Sequence, residues 1–330
     1  MTNDKLMVSI CCITYNQEKY IKDALESFLM QKTNFKYEII IHDDASTDNT
    51  VKVIEEYKKK YPDIIKTIYQ TENQYSNNRK VFPIVMEEAK GKYIAICEGD
   101  DYWTDCNKLQ EQVNYLEANP QCTLCFHAYT MVDKDKKELR TINNYIDNCK
   151  VSMQDMILGG GGFCATASLI FPTRLIKKLP IYYWECSVGD YPLQLYFASQ
   201  GHAYYINKNM SAYRTNLETS WTGKLLNNSD KKLKIKKIVN HYNDIINMLK
   251  TFDEDNEYTY TNYIQQAVLN LEVIIHLQQE EYWIFKDKKY RYYLEKFDRT
   301  TKIKYLLRAY FPKIYLSLKS VKDKRRLTNE

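Results

Sequence analysis

Residues 8–15, VSICCITY, residues 37–50, YEIIIHDDASTDNT, and residues 91–103, GKYIAICEGDDYW, share one layout: an apolar run that ends in polar or acidic residues. Continuous apolar runs of this length read as strands covered on both faces, the signature of a parallel sheet. Behind the first of them, Ile21, Ala24, Leu25, Phe28 and Leu29 recur at helical spacing. Behind the second, Ser46 to Asp48 offer capping side chains for a helix carrying Val51, Ile54 and Tyr57. With a further strand at 64–70, strand and helix alternate as β-α-β units, and the first half reads as Rossmann-like α/β.

Working outward, a helix with Leu109, Val113 and Leu116 runs from Asn107 to Pro120, and CTLCFHAYTMV (122–132) follows as a strand. DKDKKELR (133–140) reads as a polar turn or hairpin. Gly159 to Gly162 open onto a strand, ATASLIF, closed by Pro172, and a short helix with Leu175 and Ile176 ends at Pro180. Asp190 precedes an apolar helix ended by Gly201. AYYIN and MSAYR then read as two edge or return strands. Past Trp221 the texture turns Lys- and Tyr-rich and helical, with no glycine after Gly223. The expected division is therefore 1–222 as one α/β domain, with halves at 1–105 and 106–222, and 223–330 as an appended helical region.

The 330 residues, 44% hydrophobic and 27% charged, suffice for one sizeable core and a smaller unit. No apolar run reaches the roughly 18 to 20 residues that span a bilayer, and the amino end lacks the layout of a secretory signal. A cytoplasmic location is expected. The nine cysteines are odd in number and lie mostly in apolar stretches, which suits reduced thiols. Cys122 and Cys125 have metal-ligand spacing, but no second such pair accompanies them. The net charge of +5 is uneven: residues 301–330 carry +7, leaving −2 for the remainder.

Four constellations can carry chemistry. Asp43 and Asp44 stand past the carboxyl edge of a parallel strand, where nucleotides bind in open α/β sheets; alternatively they only cap the next helix. Glu98, Asp100 and Asp101 repel one another unless a cation neutralises them, and hard oxygen ligands at this density suit Mg2+ or Mn2+; a solvated acidic turn is the plainer reading. Asp190 opens a helix, where a cap is equally reasonable, and Glu185 is a rival acid nearby. Arg214 suits either a phosphate or a structural salt bridge, in a polar loop closed by Trp221.

Taken jointly, residues 8–31, 37–50, 91–117 and 188–201 closely resemble glycosyltransferase family 2, the inverting enzymes of GT-A fold, over about residues 7 to 221. The resemblance implies a mixed, mainly parallel sheet flanked by helices, and an enzyme that moves a sugar from a nucleoside-diphosphate donor, UDP favoured, to a hydroxyl of a glycan or lipid-linked acceptor. It implies that Thr14, Tyr15, Asp43 and Asp44 line the nucleotide pocket, with Asp44 on the base. Asp100 and Asp101 match the family's metal-binding acids, with Mn2+ or Mg2+ as the cofactor. Glu98 occupies the place often held by a first aspartate, and contacts either the metal-diphosphate complex or the sugar. Asp190 matches the catalytic base, and Arg214 a position that contacts the donor diphosphate. A role in surface polysaccharide assembly follows by analogy.

The basic tail interleaves Tyr305, Tyr310, Phe311 and Tyr315 with Lys and Arg, a composition that suits peripheral attachment to an anionic membrane on its inner face. Packing of the same stripe on the catalytic domain is the alternative. No nucleic-acid module is present, and no nucleic-acid partner is expected. Two other classes compete: a nucleotidyltransferase, which would be expected to carry a glycine-rich phosphate loop that CITYNQEKY lacks, and a non-catalytic scaffold or binding protein.

Overall fold

The computed structural model describes residues 3–215 and 230–316. The chain divides into two compact units, Met1–Asn227 and Asn228–Glu330. The expected boundary at 222/223, Trp221 and the basic residues after 316 lie outside the described residues.

In the first unit, β1 (Asn3–Thr14), α1 (Ile21–Leu29), β2 (Phe35–Asp43), α2 (Thr50–Lys60), β3 (Ile65–Tyr69), α3 (Val81–Glu87) and β4 (Tyr93–Glu98) follow one another. Then come β5 (Tyr102–Trp103), α4 (Lys108–Ala118), β6 (Cys122–Val132), β7 (Glu138–Ile142), β8 (Cys149–Val151) and α5 (Met153–Gly159). The unit continues with β9 (Ile170–Pro172), α6 (Ile181–Glu185), α7 (Asp190–Ser199) and β10 (His202–Arg214). All ten strands form one sheet in the order β3-β2-β1-β4-β9-β6-β10-β5, with β7 beside β6 and β8 beside β10. The pairs β3-β2, β2-β1, β1-β4 and β6-β10 are parallel; those made by β5, β7, β8 and β9 are antiparallel. This is the mixed, mainly parallel sheet flanked by helices that the sequence led us to expect, and it runs unbroken through both expected halves.

The apolar runs are buried for the anticipated reason. Val8, Ile10 and Cys12 of β1 are sealed in one cluster with Ile21, Ala24, Leu25 and Phe28 of α1, while Cys11, on the opposite face, is sealed with its thiol toward the Val85 carbonyl of α3. None of the nine cysteines is in a disulfide; seven are buried, with Cys106 and Cys149 partly exposed. Gly91 is required where the chain enters β4, because a Cβ there would stand 2.6 Å from the main-chain nitrogen of Ser9.

Two local expectations are corrected. AYYIN and MSAYR are one strand, β10, paired on β6 along most of its length, not two edge strands. Asn207 to Asn209, which look like a turn in sequence, are register shifts in that ladder. The short helix expected around Leu175 and Ile176 is a 3-10 segment, Thr173–Lys178.

Lys108 at the start of α4 is fully buried. Its ammonium lies 4.1 Å from the centroid of the Trp103 ring and donates to Gln112 Oε1 at 2.8 Å. Burial pulls this amine down to about 7. Gln112 is fixed in turn by donating to the carbonyls of Cys125 and Ser168.

The second unit holds α8 (Lys231–Asp255), α9 (Thr261–Gln278), α10 (Lys288–Arg291) and α11 (Arg299–Tyr310). Val273, Ile284, Phe285, Tyr290, Tyr293, Leu294 and Ala309 form its core, with Tyr305 and Leu306 packed against it. Ile303 and Tyr310 of α11, and Phe311 and Ile314 beyond it, remain exposed. No described helix is long and apolar enough to cross a membrane.

Candidate functional site

Register places the sequence-predicted acids together. Thr14 is level with Asp43 across β1-β2, and Ile13 is level with Glu98 across β1-β4, so three parallel strands end side by side. The Asp44 N–H donates to the Thr14 carbonyl at 3.0 Å, and the Gly99 N–H to the Ile13 carbonyl at 2.9 Å. A Cβ on Gly99 would stand 2.5 Å from Gln17 Oε1 and 2.9 Å from Thr14 Cβ, so only glycine lets these strand ends approach this closely. Thr14 is buried and donates to Gln17 Oε1 at 2.7 Å, whereas Tyr15 is exposed at the rim.

Both members of the Asp43–Asp44 pair organise loops. Asp43 accepts from the Ser46 N–H at 2.9 Å and the Ser46 hydroxyl at 2.5 Å. The two oxygens of Asp44 accept from the N–H groups of Gln74 at 2.7 Å and Tyr75 at 3.0 Å, drawing the segment after β3 over the strand ends. Neither acid caps α2. Asp48 serves there, accepting from the Thr50 N–H at 2.9 Å.

The turn after β4 gathers Glu98, Asp100 and Asp101, the last two buried. Burial first, and mutual repulsion second, push Glu98 up to about 8 and Asp101 well above the usual carboxylate range. Burial also raises Asp100. Asp101 Oδ1 accepts from the Arg214 N–H at 2.8 Å, while its other oxygen is buried with no hydrogen-bond partner. No group of three His, Cys, Asp or Glu side chains forms a ready-made metal cage among the described residues. The orphaned oxygen and the hard donor set nevertheless fit a divalent cation completed by ligand oxygens.

Asp190, first residue of α7, comes from about ninety positions further along yet faces the same turn: its charge contributes to raising Glu98. Burial raises Asp190 itself, opposed by the Tyr191 N–H, which donates to it at 2.8 Å, and by the nearby Lys80. Gly161 covers it, with a would-be Cβ 3.5 Å from Asp190 Oδ2. Glu185 is exposed at the end of α6, a helix and not the loop expected.

Arg214 is the last residue of β10 and not part of a loop beyond it. Its side chain is 1% exposed, donates to Asp23 and to the Asp100 carbonyl, and lies between the rings of Tyr20 and Tyr102, 4.9 and 4.8 Å from their centroids. Its ion pair with Asp23 is the structural salt bridge that one of the two sequence readings anticipated. Cys122 and Cys125 are buried thiols on β6 and make no metal cluster among the described residues.

Sequence reasoning missed three neighbours of the acids. Tyr213 on β10 is raised by burial and by the charges of Glu98, Asp101, Asp100 and Asp190 together, so its phenol feels all four. Gly161 and Lys80 are the others. A strand position next to Arg214 was the available signal for Tyr213, and the glycine run 159–162 the one for Gly161; nothing local marks Lys80.

The family model described as Glycosyl transferase family 2 matches residues 9–178. An uncharacterized protein of Mycobacterium tuberculosis is 46% identical over 130 residues, 39% of this chain and 36% of that one. A Bacillus subtilis chain provisionally named as the teichuronic acid biosynthesis glycosyltransferase TuaG is 33% identical over 138 residues, 41% of this chain and 51% of that one. The chain thus covers between a third and a half of these relatives' length. Residues 1–349 of Staphylococcus aureus TarS, crystallised with UDP, superimpose with a TM-score of 0.52 at 16% identity, over 84% of this chain and 88% of that one. The TarS complex with UDP-GlcNAc gives 0.51 at 16% identity, over 81% and 79%. At that identity the likeness is one of fold.

Proposed function

The chain belongs to glycosyltransferase family 2, and on that premise we propose that it moves a sugar from a nucleoside-diphosphate donor to an acceptor hydroxyl with inversion at the anomeric carbon. The observation that carries this reading is the crowding of Glu98, Asp100 and Asp101 in one turn at the sheet edge, with Asp190 near enough for its charge to raise Glu98 and burial raising all four.

In this reading Asp190 takes the proton of the acceptor hydroxyl as that oxygen attacks the anomeric carbon and the bond to the diphosphate breaks. A carboxylate raised by burial is a stronger base near neutral pH than a solvated one. A single displacement needs no enzyme nucleophile, only a base and positioning. Asp100 and Asp101 would hold a divalent cation, Mn2+ or Mg2+, which supplies positive charge against the departing diphosphate. Thr14, Tyr15, Asp43 and Asp44 border the nucleotide pocket, and Glu98 faces the sugar or the diphosphate. Arg214 holds the acidic turn from behind. The UDP-GlcNAc bound by TarS favours a UDP-sugar donor, and the teichuronic acid biosynthesis in the name of TuaG favours a role in polysaccharide assembly, with a glycan or lipid-linked acceptor as the family resemblance implies.

The exposed Ile303, Tyr310, Phe311 and Ile314 beside Lys302, Lys304 and Lys313 support peripheral attachment to an anionic inner membrane face. Pelleting with anionic vesicles tests this, and absence of binding ends it. The transfer reading is tested by incubating the protein with Mn2+ and a panel of sugar nucleotides. Nucleoside diphosphate release that rises with added acceptor supports a transferase. In a parallel incubation with a nucleoside triphosphate and a sugar 1-phosphate, pyrophosphate release marks a nucleotidyltransferase, and release in neither assay leaves a binding protein.

A further inference from the structure

Lys80 stands just before α3, in the part of the unit that carries Asp44, and its side chain crosses to the part that carries Asp190. Its ammonium donates to the carbonyl oxygens of Cys186 and Val188, the latter at 2.7 Å, and lies 5.3 Å from the centroid of the Tyr183 ring. Those carbonyls belong to the irregular segment between α6 and α7, and a single residue, Gly189, separates the second from Asp190. An ammonium with three donors on a long stem suits carbonyls that no strand or helix satisfies.

The same lysine is tied to the donor side. Its neighbour Arg79 donates to Gln74 Oε1 at 3.0 Å, the Arg79 N–H donates to the Gln74 carbonyl at 3.0 Å, and the Gln74 N–H is held by Asp44. An unbroken series of contacts therefore runs from Asp44 through Gln74, Arg79 and Lys80 to the backbone that precedes Asp190.

We propose that Lys80 is a positioning residue for sugar transfer: it latches residues 186–189 onto the donor-side loop and so sets where the Asp190 carboxylate stands relative to the donor. This rests on the reading of Asp190 as the base. Misplacing a reacting group by about 1 Å costs up to about a hundredfold in rate, so two backbone contacts suffice to matter.

Lys80→Met and Lys80→Arg are compared with the wild-type full chain. Amide hydrogen exchange without ligand is expected to speed up about tenfold or more at 186–190 in Lys80→Met, with the carboxyl-terminal half of α7 unchanged. Affinity for UDP with Mn2+, by calorimetry, is expected to stay within about twofold, while kcat for transfer falls about 10- to 100-fold and Lys80→Arg recovers part of it. Unchanged exchange at 186–190 overturns the latch. A loss of UDP affinity that matches the loss of turnover also overturns it, and makes Lys80 a donor contact. If the wild-type chain releases no nucleoside diphosphate, the reading of the site fails, while the exchange measurement still decides the latch.

Discussion

The main-chain N–H of Arg214 donates to the Asp101 carboxylate at 2.8 Å, tying the end of β10 to the acidic turn after β4 across 113 positions of sequence. The guanidinium reinforces that tie through Asp23 and the Asp100 carbonyl. Arg214→Ala is expected to cost about 3 kcal/mol in urea unfolding of the full chain, because it removes a buried guanidinium and, among the described residues, leaves the partly buried Asp23 with Lys136 alone as a salt-bridge partner. Arg214→Lys should not restore it, since an ammonium cannot reproduce the planar fork. A loss of under half a kcal/mol would show that the clamp is idle.

Asp190→Asn is expected to lower transfer by about a hundredfold or more while UDP binding holds. Glu185→Gln, on an exposed helix end, should leave turnover unchanged. Stopped transfer in Glu185→Gln with full activity in Asp190→Asn would exchange their roles.

Asp101 has one carboxylate oxygen held and one unpartnered. Mn2+ added with UDP should raise the melting temperature of the wild-type chain, and Asp101→Asn should abolish that rise. EDTA should stop transfer, and restored Mn2+ should recover it. Full activity after exhaustive chelation would remove the cation from the reaction.

Lys108 provides a pH test independent of catalysis. Its amine falls from an ordinary 10.5 to about 7 through burial. Between these values the unfolded chain binds a proton that the folded chain does not, so this residue's contribution to stability rises with pH across the window. Below about 7 both states are charged, and the cost of burial, on the order of a few kcal/mol, is fully present. The melting-temperature advantage of Lys108→Met over wild type should therefore shrink from pH 7 to pH 9. An advantage independent of pH would mean that the amine stays charged against Trp103.

Much of this was legible in sequence because it is local. Runs such as VSICCITY announce buried strands, and acids directly after them must sit at the carboxyl edge, so Asp43, Asp44, Glu98, Asp100 and Asp101 could be placed without a structure. Asp190 needed the combined motifs. What stayed hidden depends on pairing between distant segments. A bulge at Asn207–Asn209 mimics a turn unless β6 is seen beside it. Likewise, nothing near Arg214 foretells Asp23, 191 positions earlier, and nothing near Lys80 foretells Val188.

The seven sealed cysteines have a practical consequence. Burial pushes thiols such as Cys12, Cys97, Cys125 and Cys164 far from their reactive form, whereas Cys106 and Cys149 are partly open to reagent. The chain thus carries its own chemical stopwatch: alkylation beyond two sites records when the packing around β1, β4, β6 and the segments at Cys164 and Cys186 opens.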